Sequence, residues 1–173
     1  MLIPVKLTGE RPIEGQTPDS LLALHAAGYR EVRDRMGPGR FLDLGCGLAD
    51  GTATFAAPDR QLVGIDYDPA TAAAARRSKI DTGLVTACSD GSALGLRGEM
   101  FDWVCSSHLI EHFVDPEPHV REVSRVLAAG NGVFHHSQRA SRLRESLPRV
   151  PLRPGGAPVH AGASFRRGVR GWS

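Results

Sequence analysis

The run FLDLGCGLADGT, residues 41–52, constrains this chain more than any other part of it. Apolar residues of strand type deliver an acid, Asp43. Two glycines follow, Gly45 and Gly47, and then residues suited to a helix start. Glycine lets the backbone turn tightly and approach a ligand where a side chain would obstruct it. A lone Gly-x-Gly pair is weak evidence, but a second apolar stretch, QLVGID, ends in Asp66, 21 residues after Gly45. A carboxylate at that place can accept from both hydroxyls of a ribose. The pattern therefore predicts a nucleoside-bearing ligand at the carboxyl ends of parallel strands. A dinucleotide fingerprint would need Gly or Ala at position 50, where the chain has Asp50. An acid at a helix N-terminus repels pyrophosphate, and Asp43 suits a cationic ligand better, so NAD is disfavoured.

The flanking sequence supplies the rest of an α/β pattern. A helix is expected from about Pro18 to Met36, with Thr17 or Asp19 as its cap. GTATFAA should begin a second helix, and DPATAAAARRSKI a third opened by Asp68 and Pro69. GLVTACSD and FDWVCSSH read as a third and a fourth strand. DPEPHVREVSRVLAAG reads as a helix with acids early and arginines late, which agrees with the helix dipole. NGVFHH is a candidate fifth strand. Strands alternating with helices of this length predict a Rossmann-like parallel sheet sandwiched by helices.

At 173 residues the chain is expected to hold one domain, with 41% hydrophobic and 23% charged residues, ordinary for a globular protein. No apolar run approaches the roughly 20 residues needed to span a bilayer, and the N-terminus shows no signal-peptide core. Cys46, Cys88 and Cys105 form no Cys-x-x-Cys pair and read as small buried residues. A cytoplasmic location is the expectation, with no membrane partner.

Charge divides the chain. Residues 1–130 carry 13 Lys+Arg against 18 Asp+Glu, whereas residues 131–173 carry eight arginines and one acid, Glu145. After His136 no period of two or 3.6 is sustained, and Pro, Gly and Arg dominate. The expected organisation is a cofactor-binding domain over residues 1–136, incomplete at its C-terminal strands, and a basic, disordered tail over 137–173. The abrupt change resembles an out-of-frame reading of a GC-rich gene. The rival reading is a genuine basic arm for nucleic acid, although few aromatics accompany the arginines to stack on bases.

The segments LDLGCGLADGT, VGIDYDPA, SDGSALG and FDWVCSSHLIEHFVDPEPHVREVSRVLAAG resemble successive motifs of the class I S-adenosylmethionine-dependent methyltransferases, the type 11 group especially. The likeness covers roughly residues 20–134 in the family's order and spacing. It implies S-adenosylmethionine as cofactor and a small-molecule methyl acceptor. It also implies that Asp43 lies near the cofactor's amino group and sulfonium, with Gly45 and Gly47 beside its amino-acid part. Asp66 would take the ribose hydroxyls, and Tyr67 would pack near the adenine. Asp90 would accept from the adenine amine with the Gly91 backbone alongside, and Ser106 and Ser107 would line the sulfonium side. Ala49 departs from the third glycine of many members. The expected reaction is methyl transfer to an O, N or C nucleophile; the alternative is an inactive remnant of such an enzyme, or a nucleic-acid binder using the tail.

HLIEH, residues 108–112, has the His-x-x-Glu-His spacing of a zinc-protease motif, and on a helix its three polar residues would share one face. That reading leaves the cofactor motifs unexplained, and no metal is expected. Three roles remain open: Glu111 and His112 organising the loop through hydrogen bonds, His108 or His112 acting as base towards the acceptor, and a metal site of His108, Glu111 and His112. His135 and His136 are adjacent, face opposite sides of a strand, and are poor partners for one metal.

Overall fold

The structure, a computed structural model, describes residues 17–136 together with Gly15. The basic tail, and with it the out-of-frame reading, lies outside the described residues. Five strands form one fully parallel sheet in the order β3-β2-β1-β4-β5. They are β1 (Gly39–Leu44), β2 (Arg60–Asp66), β3 (Val85–Cys88), β4 (Phe101–Ser107) and β5 (Leu127–His136). The helices are α1 (Asp19–Arg35), α2 (Asp50–Ala53), α3 (Pro69–Ser78) and α4 (Glu117–Val126).

β1 is central, and both of its faces are covered. Phe41 belongs to a core with Val32 of α1, Met36 just after that helix, Phe55, Leu62 of β2, Ala75 of α3 and Cys105 of β4. Leu42 and Leu44 belong to the opposite core with Ile65, Val104 and the Val123 and Val126 of α4. Burial on both faces explains why the inner part of β1, residues 41–44, is apolar except at Asp43. The chain order reverses between β1 and β4, and a sheet of this kind opens a crevice there, outside the carboxyl ends of its strands.

Several boundaries differ from the sequence expectation, each for a local reason. α1 begins at Asp19 with Pro18 at its N-cap, so Asp19 is its first helical residue and not its cap. The helix expected from GTATFAA reduces to the four residues of α2. Pro58 follows closely and disfavours helical geometry at Ala57. α3 is capped as expected, Asp68 accepting from the Thr71 backbone amide at 3.0 Å. The helix expected to reach Gly130 ends at Val126, and β5 begins at Leu127. Leu127 pairs with Phe101 and Gly132 with Trp103, so the start of β5 carries an irregularity in register.

Candidate active site

The four loops singled out in the sequence all leave the carboxyl ends of the strands. The loop after β1 takes left-handed φ at Gly45 (76°), Gly47 (57°) and Ala49 (60°). Ala49 thus adopts the backbone that a third glycine would take without penalty, an unfavourable conformation for a residue with a Cβ. A Cβ at Gly45 would stand 3.2 Å from Leu109, whereas at Gly47 nothing lies within 4 Å among the described residues. Gly47 therefore faces open space with bare backbone.

Asp66 ties that loop to β2. One carboxylate oxygen accepts from the Gly47 amide at 2.9 Å, and the other accepts from the Asp68 amide at 3.0 Å. The first two sequence motifs are therefore joined by a direct bond. Tyr67, beside it, is 76% exposed, an aromatic face left uncovered at the end of β2.

Asp43 lies beneath the loop, fully buried. Its Oδ2 accepts from the Tyr29 hydroxyl of α1 at 3.0 Å and from the Thr52 hydroxyl of α2. Burial pushes its carboxyl up to about 6, against the opposing pull of those two hydrogen bonds. Burial, and then the neighbouring carboxylate, likewise raise the Tyr29 hydroxyl well above its ordinary value. Oδ1 of Asp43 is buried without a hydrogen-bond partner among the described residues, as is the Ser107 hydroxyl. Asp43 pairs in register with Cys105, two residues before Ser107, so both groups project from the same sheet face at neighbouring strands.

On the far side, Asp90 is exposed, and its Oδ1 accepts from the amide and hydroxyl of Ser92, which hold its carboxyl below the usual range. Gly91 is buried, and a Cβ there would stand 3.3 Å from the His119 ring. Ser106, 2% exposed, shares a 2.9 Å hydrogen bond with His119 Nε2.

HLIEH does not form one helical face. His108 is in the left-handed region (φ 51°), and Ile110–His112 is a 3₁₀ turn. His108 is buried, whereas His112 is exposed. Glu111 lies 3.6 Å from the His108 ring, and the His25 ring of α1 packs on His108 at 4.1 Å between centroids. Among the described residues no group of three or more His, Cys, Asp or Glu is placed to hold a metal ion. Nor is any described helix long and apolar enough to cross a membrane.

Tyr29, Thr52, His25 and His119 escaped the sequence reading. Tyr29 and His25 reach the site from a helix remote in sequence, with no local signal. His119 could have been found, since on α4 it shares the buried face with Val120, Val123 and Val126.

Comparison with known proteins agrees with this architecture. Residues 42–134 match the family model described as a methyltransferase domain. A Mycolicibacterium smegmatis protein named "Probable S-adenosylmethionine-dependent methyltransferase" is 34% identical over 131 residues, covering 74% of this chain and 49% of its own length. This chain thus spans about half the length of that relative. Among solved structures, an S-adenosylmethionine-dependent methyltransferase from Mesorhizobium loti superposes with a TM-score of 0.58 at 24% identity, over 66% of this chain and 52% of the other. The PH0226 protein of Pyrococcus horikoshii gives 0.61 at 19%, over 75% and 59%. The [4+2]-cyclase SpnF gives 0.55 at 26%, over 72% and 46%. The chain belongs to the class I S-adenosylmethionine-dependent methyltransferases and is type 11-like. The cofactor of that family is S-adenosylmethionine.

Proposed function

We propose that this chain transfers a methyl group from S-adenosylmethionine to an O, N or C nucleophile of a small molecule. The observation that carries the reading is the pairing of a bare, open Gly47 with an Asp66 carboxylate fixed by the same residue's amide. The donor set fits the cofactor's chemistry. Asp66 offers carboxylate lone pairs to ribose hydroxyls, Tyr67 offers a free face to adenine, and Asp90 offers an acceptor to the adenine amine. Oδ1 of Asp43 and the Ser107 hydroxyl are buried polar atoms that lack partners among the described residues, and a cationic amino-acid group would satisfy them. Gly45, Gly91 and Ser106 complete the lining.

The bound cofactor supplies a methyl group already activated by its sulfonium. The chain's contribution is to align the acceptor and exclude water. His108 and His112, on the loop after β4, are the candidate bases for an acceptor that carries a proton to lose. Three free cysteines fit a reducing, cytoplasmic setting.

Calorimetric titration with S-adenosylhomocysteine tests the reading. Binding in the micromolar range is expected, and no heat at millimolar ligand would overturn it. Asp66→Ala is expected to lose at least tenfold in affinity, through lost ribose contacts and a released Gly47 amide. Because SpnF, of the same fold, is named a cyclase, acceptor screening should follow product mass for the gain of one CH₂.

A further inference from the structure

His119 of α4 is 1% exposed, and its ring reaches the loop after β3. Nδ1 lies 2.8 Å from the Gly91 carbonyl, and Nε2 lies 2.9 Å from the Ser106 hydroxyl. A carbonyl oxygen can only accept, so Nδ1 carries the proton. Phe113 stacks on the ring at 4.7 Å, with planes 19° apart. A Cβ at Gly91 would meet the imidazole at 3.3 Å and Phe113 at 3.4 Å, so a bare glycine is what lets the ring come this close.

The Gly91 carbonyl and the Ser92 amide belong to one peptide group. That amide donates to Oδ1 of Asp90 at 2.8 Å, and the Ser92 hydroxyl donates to the same oxygen at 2.7 Å. His119 and Asp90 thus hold opposite ends of a single planar unit. A donor on the carbonyl also polarises the peptide and strengthens its N–H. Oδ1 of Asp90 is engaged, whereas Oδ2 accepts no hydrogen bond among the described residues, and Asp90 is exposed at the rim. Nearby, the Ser89 amide donates to the Asp66 carbonyl at 3.1 Å and the Cys88 thiol to the Tyr67 carbonyl at 3.3 Å. These bonds bring the chain leading to Asp90 alongside the exposed Tyr67.

We infer that His119 is a positioning residue which, through the Gly91–Ser92 peptide, sets the Asp90 carboxylate so that the site selects a purine with an exocyclic amine over its 6-oxo counterpart. The inference rests on the cofactor reading above, which sets the adenine at Tyr67 and Asp90. An amine donates to the open Oδ2, whereas a 6-oxo group sets oxygen against oxygen. A carboxylate free to swing could accept instead from the N1–H of the 6-oxo base, so selection needs the acid held in place.

Calorimetry on the full chain with S-adenosylhomocysteine and S-inosylhomocysteine, its 6-oxo analogue, reads the selection. The native chain should prefer the amine by about tenfold or more. His119→Gln removes the donor at Nδ1 and should cut that preference about threefold, whereas His119→Asn, whose amide N–H takes the Nδ1 position, should stay within about twofold of native. Asp90→Ala should abolish the preference, and adding His119→Gln should change it no further. An unchanged ratio in folded His119→Gln, a ratio as low in His119→Asn, or additive losses overturn the inference. Long-range ¹H–¹⁵N spectra of the imidazoles should show the His119 proton on Nδ1; a neutral ring with its proton on Nε2 also overturns it. If His119→Gln fails to fold, that tautomer and His119→Asn decide it. A native chain that binds both ligands equally overturns the inference and leaves the cofactor reading standing. One that binds neither overturns both.

Discussion

Asp43 places a carboxylate where water cannot reach it, between the helices that support the glycine loop. Its ordinary value of 3.8 is raised to about 6, chiefly by burial. A carboxyl raised in the folded state binds its proton more tightly than in the unfolded chain. The associated stability is full below about pH 3.8 and is lost as pH rises through about 6. A rise of that size corresponds to roughly 3 kcal/mol. Asp43→Asn removes the titration while its carbonyl still accepts from Tyr29 and Thr52. The gap in unfolding free energy between native chain and variant should therefore change by roughly 2.4 kcal/mol from about pH 4 to about pH 7, in the variant's favour at the higher pH. Urea unfolding at both pH values checks this, and parallel profiles would refute it. That a loop for a cationic ligand should rest on a buried, destabilised acid is consistent chemistry. A positive charge near Oδ1 would stabilise the ionised form that burial penalises.

Among the elements, α4 shows how the adenine side is held. Glu122 accepts from the Leu94 amide at 2.7 Å and from the Arg125 guanidinium, which in turn donates to the Leu94 and Leu96 carbonyls. One acid–base pair thus fastens the segment after Asp90 and Gly91 to the helix. Arg125, against the smaller opposing cost of burial, holds the Glu122 carboxyl below its usual range. Glu122→Ala should cost about 2 kcal/mol in urea unfolding, and Glu122→Gln about half, since its amide oxygen still accepts from Leu94. The native contribution is present above the ordinary carboxylate range and fades as pH falls through the folded value, so the penalty should shrink in acid. Equal stabilities of native chain and Glu122→Ala at neutral pH would exclude this role. Most elements were legible because their signals are local: the glycines at 45 and 47, Asp68 as a cap, and apolar runs buried on both faces. The end of α4 was not, because VLAAG has good helix formers and the pairing of Leu127 with Phe101 overrides them. HLIEH is the converse case, a helical spacing that its context placed on a loop. Its spacing matters only on a helix, and His108 leaves the strand in a left-handed turn.

For the whole molecule, the sheet order puts every loop of the candidate site on one rim, although those loops are spread from Asp43 to Ser107 in sequence. What sequence could not supply was the long-range wiring: Tyr29 to Asp43 across 14 residues, and His119 to Gly91 across 28. If the rim is one cofactor site, its ligand couples to the folding of the whole sheet, since strand ends supplying the contacts come from β1, β2, β3 and β4. S-adenosylhomocysteine at about 100 times its dissociation constant should then add about 2.7 kcal/mol to stability. For a folded unit of about 120 residues that raises the unfolding midpoint by about 11 °C. The shift should grow with the logarithm of ligand concentration and persist at high salt, because a buried clamp is weakly screened. The arginines of residues 131–173 give the contrasting expectation. Any gain from duplex DNA should fall steeply with salt and leave the S-adenosylhomocysteine shift in place. Differential scanning fluorimetry of the full chain, with each ligand at two salt concentrations, separates the outcomes. A DNA-dependent shift alone would move the function from the sheet's rim to the basic segment.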